Sequence, residues 1–237
     1  MLIRNRKTMS TGLVLGISFF GILALIFSPV FGEGRNGLEY SDALFNKLAK
    51  GSSYFVPELS AGLKQAEKEE LAVNVKLENP EQAAKAAKIF ATAAPATTSN
   101  GAELRIKGNL AKLLEAVLKD SNSMYFNKGD ELRQKYAMDE KEVMAIWWGA
   151  LNRATKELQK AKNTRQSNLI LEVMKKGIEP AYNFYKIDPE SISGKAFTAT
   201  SLLVFYVLYT MWWGFGIFYL FDGLGLSMQK AKVKQEV

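Results

Sequence analysis

Apolar and polar positions divide this chain into three parts: two long uncharged apolar runs, and between them a charged stretch patterned at helix and strand spacing. The first run, TGLVLGISFFGILALIFSPVFG, covers residues 11–32. The second covers residues 196–221, with 26 uncharged residues and ten aromatics between Lys195 and Asp222. About 20 apolar residues in a helix cross a hydrocarbon core of about 30 Å, so both runs predict transmembrane helices. A cleaved signal peptide ending near Val30-Phe31-Gly32 is the competing reading of the first run. Its length favours an uncleaved anchor, because a signal's apolar region is usually about 7 to 15 residues.

Residues 33–195 predict an extracytoplasmic α+β domain that is mainly helical. A short helix is expected from Ser41 to Gly51, with Leu44, Phe45 and Leu48 on one face, and another beginning in SSYFVPEL, with Pro57 in its first turn and Leu59, Leu63 and Ala66 as a stripe to about Glu70. Residues 71–120 predict a βαββα module. In it Val73, Val75 and Leu77 alternate as a strand, and Asn79, Pro80 and Gln82 start a helix as cap, first position and capping-box partner. Asn100-Gly101 signals a hairpin, Leu104 and Ile106 face inward on the next strand, and a helix opening at Gly108-Asn109 buries Leu110, Leu113, Leu114 and Val117. The expected arrangement is a three-stranded sheet with a parallel crossover and both helices on one face. In element order and length this module resembles the small ring-building modules in membrane rings of bacterial secretion and flagellar assemblies, a resemblance that implies self-assembly beside a membrane.

Residues 128–187 predict a helical hairpin. Asp139 and Glu142 have capping-box spacing ahead of a wide face of Val143, Ile146, Trp147, Ala150, Leu151, Ala154 and Leu158. The returning helix places Ile170, Met174, Ile178, Ala181, Tyr182 and Tyr185 on its stripe, bent or split at Gly177 and Pro180.

Charge sets orientation. Arg4, Arg6 and Lys7 precede the first run, and Lys230, Lys232 and Lys234 follow the second. Basic flanks stay on the cytoplasmic side, so residues 1–10 and 222–237 are expected to be cytoplasmic in a plasma (inner) membrane, and the central domain periplasmic or extracellular. The formal net charge of +7 therefore reads as topogenic; residues 33–195 hold 25 Lys and Arg against 22 Asp and Glu, with no basic stripe for nucleic acid.

With no Cys and no His, the chain lacks thiol nucleophiles, Ser-His-Asp triads and nearly all zinc and copper sites. Asp139, Glu140 and Glu142 sit where a helix N-terminus favours negative charge, which assigns them to capping rather than metal. No catalytic, cofactor-binding or metal-ligating residue is expected, and the chain reads as a non-enzyme. Gly12, Gly16, Gly214 and Gly216 are the candidate helix-packing positions, and Trp148, Trp212 and Trp213 the candidate interface residues. The expected function is that of a membrane-anchored accessory or scaffold subunit, its partners being the bilayer and other membrane-protein subunits or copies of itself. The short tail after Asp222 supports action through others. The alternatives are a ligand-sensing domain that relays through a partner membrane protein, and a ring- or polymer-assembly protein.

Overall fold

A computed structural model describes residues 3–226. The expected basic tail with Lys230, Lys232 and Lys234 lies outside the described residues. The architecture is α+β: ten α-helices among the described residues and one three-stranded sheet. It divides into two units, one running to Asn46 and resuming at Ser191, the other covering Lys47–Glu190.

The first unit contains α1 (Arg6–Ile26) and α10 (Ile192–Gly223). Both are long and apolar enough to span a membrane. Helix α1 starts five residues earlier than its uncharged run because the Asn5 side chain accepts from the backbone of Lys7 and Thr8. It stops at Ile26 rather than Gly32, since Pro29 disfavours helical backbone at Ser28. Ser191 caps α10 through Gly194 N–H at 3.3 Å, which draws Lys195 into the helix. Helix α2 (Gly37–Gly51), which crosses the boundary between the units, begins four residues before the expected Ser41. Asn36 and Glu39 form a reciprocal capping box there, with Asn36 Oδ1 accepting from Glu39 N at 2.9 Å and Glu39 Oε2 accepting from Asn36 N at 3.0 Å.

The second unit continues with α3 (Val56–Gly62), a 3₁₀ turn (Leu63–Ala66), β1 (Glu70–Lys76), α4 (Pro80–Ala91), β2 (Thr98–Asn100), β3 (Glu103–Asn109) and α5 (Leu110–Tyr125). Asn79 caps α4 and Asn109 caps α5. The sheet order is β1-β3-β2 and both ladders are antiparallel. Instead of forming a parallel pair, β1 and β2 run the same way with β3 between them, because the tight hairpin folds β3 back into the space beside β1. Gly101, at φ +56°, holds the first central position of that turn, a backbone region open to glycine. Leu71, Val73, Val75, Leu104 and Ile106 are buried on one face, while Asn74, Lys76, Glu103, Arg105 and Lys107 meet solvent on the other. The helices therefore cover one side only.

The rest of the unit is α6 (Gly129–Tyr136), α7 (Glu140–Lys160), α8 (Thr164–Val173), a π turn (Met174–Ile178) and α9 (Glu179–Asn183). The apolar stripe of α7 buries Val143, Trp147, Ala150, Leu151 and Ala154, and the Trp147 and Phe90 rings lie 4.4 Å apart. Asp120, on the buried face of α5, joins three helices. Its Oδ1 accepts from Lys135 Nζ at 2.9 Å, and its Oδ2 from Tyr136 OH at 2.6 Å and Trp147 Nε1 at 2.9 Å. Burial and the Asp120 carboxylate push the Tyr136 hydroxyl well above its usual range, so it remains a donor.

Removing one partner of a buried ionic network strands the others. Asp120→Ala leaves the buried Tyr136 hydroxyl and Trp147 indole N–H without this acceptor and should cost about 1 to 3 kcal/mol for each, whereas Trp147→Phe, which deletes one hydrogen bond and some area, should cost about 1 to 2. Denaturant unfolding followed by near-UV dichroism checks this. An Asp120→Ala variant no less stable than Trp147→Phe would remove the carboxylate from its organising role.

Candidate functional site

Three arrangements stand out: the contact between α1 and α10, an aromatic cleft in the second unit, and a polar latch at the ends of that unit. The two apolar helices run antiparallel. A Cβ on Gly12 would lie 2.6 Å from Leu220 N, and one on Gly223 would lie 2.7 Å from Met9 Cα, so the backbones meet where only glycine fits. Gly216 faces Leu15 and Gly16 at ordinary contact distance, with space for a Cβ. Gly16 and Gly214 have open space where a Cβ would stand. Trp212 Nε1 donates to Leu15 O at 3.2 Å and Tyr209 OH to Phe19 O at 3.0 Å, so both aromatics add hydrogen bonds to carbonyls of α1. The Trp213 ring lies 4.7 Å from Phe19 and 5.5 Å from Phe20.

In the second unit Trp147 and Trp148 point in different directions, as adjacent helical residues must. Trp147 is fully buried; Trp148 is 39% exposed. Trp148 lines an open cleft of about 320 Å³ with Met144, Ala145, Ile178, Tyr182 and Asn183, and with Glu179 on the same wall. Its indole N–H donates to Glu179 Oε1 at 3.3 Å. Lys141 places its ammonium 5.3 Å from the centre of the Tyr182 ring. Tyr182 was expected on the buried stripe but is 38% exposed. The reason is local. Pro180 has no N–H to continue the helix, and the chain widens into a π turn in which Glu179 N–H reaches Met174 O. Ala181 stays buried as expected, and Tyr182 next to it stands outward beside Trp148 and Glu179. The sequence spacing signals a bend at Gly177 and Pro180, but not the outward position of Tyr182.

The three acidic residues at the start of α7 have three different roles. Asp139 caps the helix through Lys141 N and Glu142 N. Glu140 is buried and accepts from Arg133 Nη2 at 2.5 Å and Tyr185 OH at 3.0 Å. Its own backbone N–H, then Arg133 and Tyr185, hold its carboxyl below the usual range against the opposing effect of burial. Glu142 pairs with Lys85 at 2.7 Å.

The latch centres on Lys50, which sequence spacing did not single out although its side chain is fully buried. Its Nζ donates to Ile187 O at 2.5 Å and to Asn127 Oδ1 at 3.0 Å. Asn127, in the left-handed region at φ +60°, also accepts from Lys186 N and donates to Asp188 Oδ1. The Tyr125 hydroxyl donates to Lys50 O, and Glu190 N donates to Lys47 O at 3.1 Å. A side chain at Gly51 would collide with the Glu190 carbonyl. The first and last segments of this unit are thereby tied together. Burial lowers the Lys50 pKa, partly offset by Asp188.

No protein-family model matches the chain, and no curated protein or solved structure matches it either.

Two outcomes follow from these arrangements. Gly12→Val and Gly223→Val should push α1 and α10 apart, while Gly214→Val leaves their spacing unchanged. Because the chain has no Cys, spin labels on cysteines introduced at the exposed positions Ile17 and Phe215 report this distance without background. A Gly214 variant that separates the helices as far as the Gly12 variant would refute the assignment. For the latch, the folded Lys50 binds its proton more weakly than in the unfolded chain, where the pKa is near 10.5. Between the lowered value and 10.5 the unfolded state holds more protons, so stability from this group rises with pH. The stability difference between wild type and Lys50→Met should shift in favour of wild type as pH is raised through that window. A pH-independent difference in melting temperature would contradict it.

Proposed function

We propose that this is a two-pass protein of the plasma (inner) membrane, with both termini cytoplasmic and residues 33–195 on the opposite side. It serves there as a non-enzymatic accessory or scaffold subunit that presents its folded domain to other membrane-protein subunits or to copies of itself. One observation carries the reading. In the most apolar window of each of α1 and α10 only 6% of the residues are buried within the molecule. A core helix of a water-soluble protein would bury most of that surface, whereas Leu13, Val14, Ile17, Phe205, Leu208 and Phe215 stand outward. Contiguous apolar surface of this extent needs an apolar solvent or a partner. Arg4, just before α1, and Arg6 and Lys7 in its first turn support the cytoplasmic placement of the N-terminus.

A second reading, ligand sensing relayed through a partner, is favoured by the cleft beside Trp148. Its volume of about 320 Å³ falls at the small end of the range of about 300 to 1,000 Å³ for ligand pockets.

Topology is decided by labelling with a membrane-impermeant maleimide. Lys107→Cys should react in right-side-out membranes, and Asn5→Cys only after permeabilisation. The reversed pattern, or release of the protein by an alkaline carbonate wash, would overturn the proposal.

A further inference from the structure

The cleft between α7 and α9 has a composition that selects among ligands. Two of its walls are aromatic faces, Trp148 and Tyr182, both more than one-third exposed, above a floor of buried Met144 and Ile178. The carboxylate in its lining, Glu179, makes no ion pair among the described residues; its one described hydrogen bond is the weak 3.3 Å contact from Trp148. Glu142 pairs with Lys85, and Lys176 with Glu172 and Glu58. Lys141 is exposed, with its ammonium over the Tyr182 ring. A cation of this chain thus already rests on the Tyr182 ring, which belongs to the lining of the cleft.

From this geometry we infer that the cleft binds the guanidinium of an arginine presented by a partner protein. Ring faces attract cations through their quadrupoles, and a planar guanidinium can stack on an indole while its N–H groups reach a carboxylate. Glu179 Oε1 lies 3.3 Å from the indole nitrogen of Trp148, so one guanidinium can stack on the ring and pair with the carboxylate together. An uncharged apolar side chain would fill the floor but leave Glu179 desolvated without a counter-ion, and an anion would face it directly. Lys141, held over the Tyr182 ring, competes with the arginine for that ring. The assignment rests on the reading of the domain as an interaction module, but it requires neither the partner nor the topology to be known.

The test uses the full chain in detergent micelles, labelled with 5-fluorotryptophan, the Trp148 resonance being assigned by its loss in Trp148→Phe. N-acetyl-arginine amide is titrated against N-acetyl-citrulline amide, its uncharged near-isostere, and N-acetyl-lysine amide, which carries the charge without the plane. The arginine probe should shift the Trp148 resonance, with the other two binding about tenfold more weakly. Glu179→Gln, which keeps an acceptor for the indole, should weaken arginine binding by about tenfold, and Lys141→Met should tighten it. Equal shifts with citrulline, arginine binding unchanged in Glu179→Gln, or no shift of Trp148 at any soluble concentration would each overturn the inference. None of these outcomes bears on the maleimide result, so the two proposals fail separately.

Discussion

An ionised carboxylate can sit inside a protein only when its lone pairs are filled, since an unpaired one costs several kcal/mol. Asp120 meets that condition with a lysine, a tyrosine hydroxyl and an indole N–H. The requirement fixes more than one side chain. It sets the rotation of α7, because Trp147 must point its nitrogen at Asp120 while its ring packs on Phe90. With Trp147 directed inward, the next residue lies about 100° around the helix and has to emerge at the edge. The exposed position of Trp148 is thus a consequence of the buried network one residue earlier.

The parts of this fold that are legible in the sequence are those written in local chemistry. Asn79 and Asp139 announce helix starts because an N-cap acts within three residues, and Val73 and Val75 announce a strand because its period is two. The capping box at Asn36 and Glu39 carries the same local signal in NGLE, ahead of the apolar spacing that points to Ser41. Features that depend on distant neighbours were not legible. Gly12 and Gly16 have the same spacing motif, yet only Gly12 meets a backbone across the helix pair, and Gly223 does so without any motif. A trace of Asp120 was present, as a charged residue on the otherwise apolar face with Leu113 and Val117, whereas Lys50 carried no such mark on its own helix.

Both helical units solve a packing problem by removing bulk. Between α1 and α10, glycines let backbones touch and free the indole of Trp212 and the hydroxyl of Tyr209 to cap carbonyls that already serve the helix ladder. In the second unit, Gly177 lies in the π turn, where an added Cβ would come within 3.0 Å of Leu118. Small residues thus permit close approach, and the aromatic residues beside them supply direction. This division of labour explains why so much aromatic surface, in the second apolar helix above all, is compatible with specific pairing rather than indiscriminate adhesion.

The latch around Lys50 has a consequence for chain statistics. Some 165 residues of chain separate the end of α1 from the start of α10, and closing an unstructured loop of that length carries an entropy cost that grows as the logarithm of its length. Once Lys47–Gly51 is bonded to Ile187–Glu190, the interval behaves as a tether of about 20 residues, mostly the stretch before Lys47. The logarithmic rule then reduces the cost of bringing the two apolar helices together by about 2 kcal/mol. The same tie makes Lys47–Glu190 an inserted cassette with adjacent ends, one that a helical hairpin can carry without being pried open.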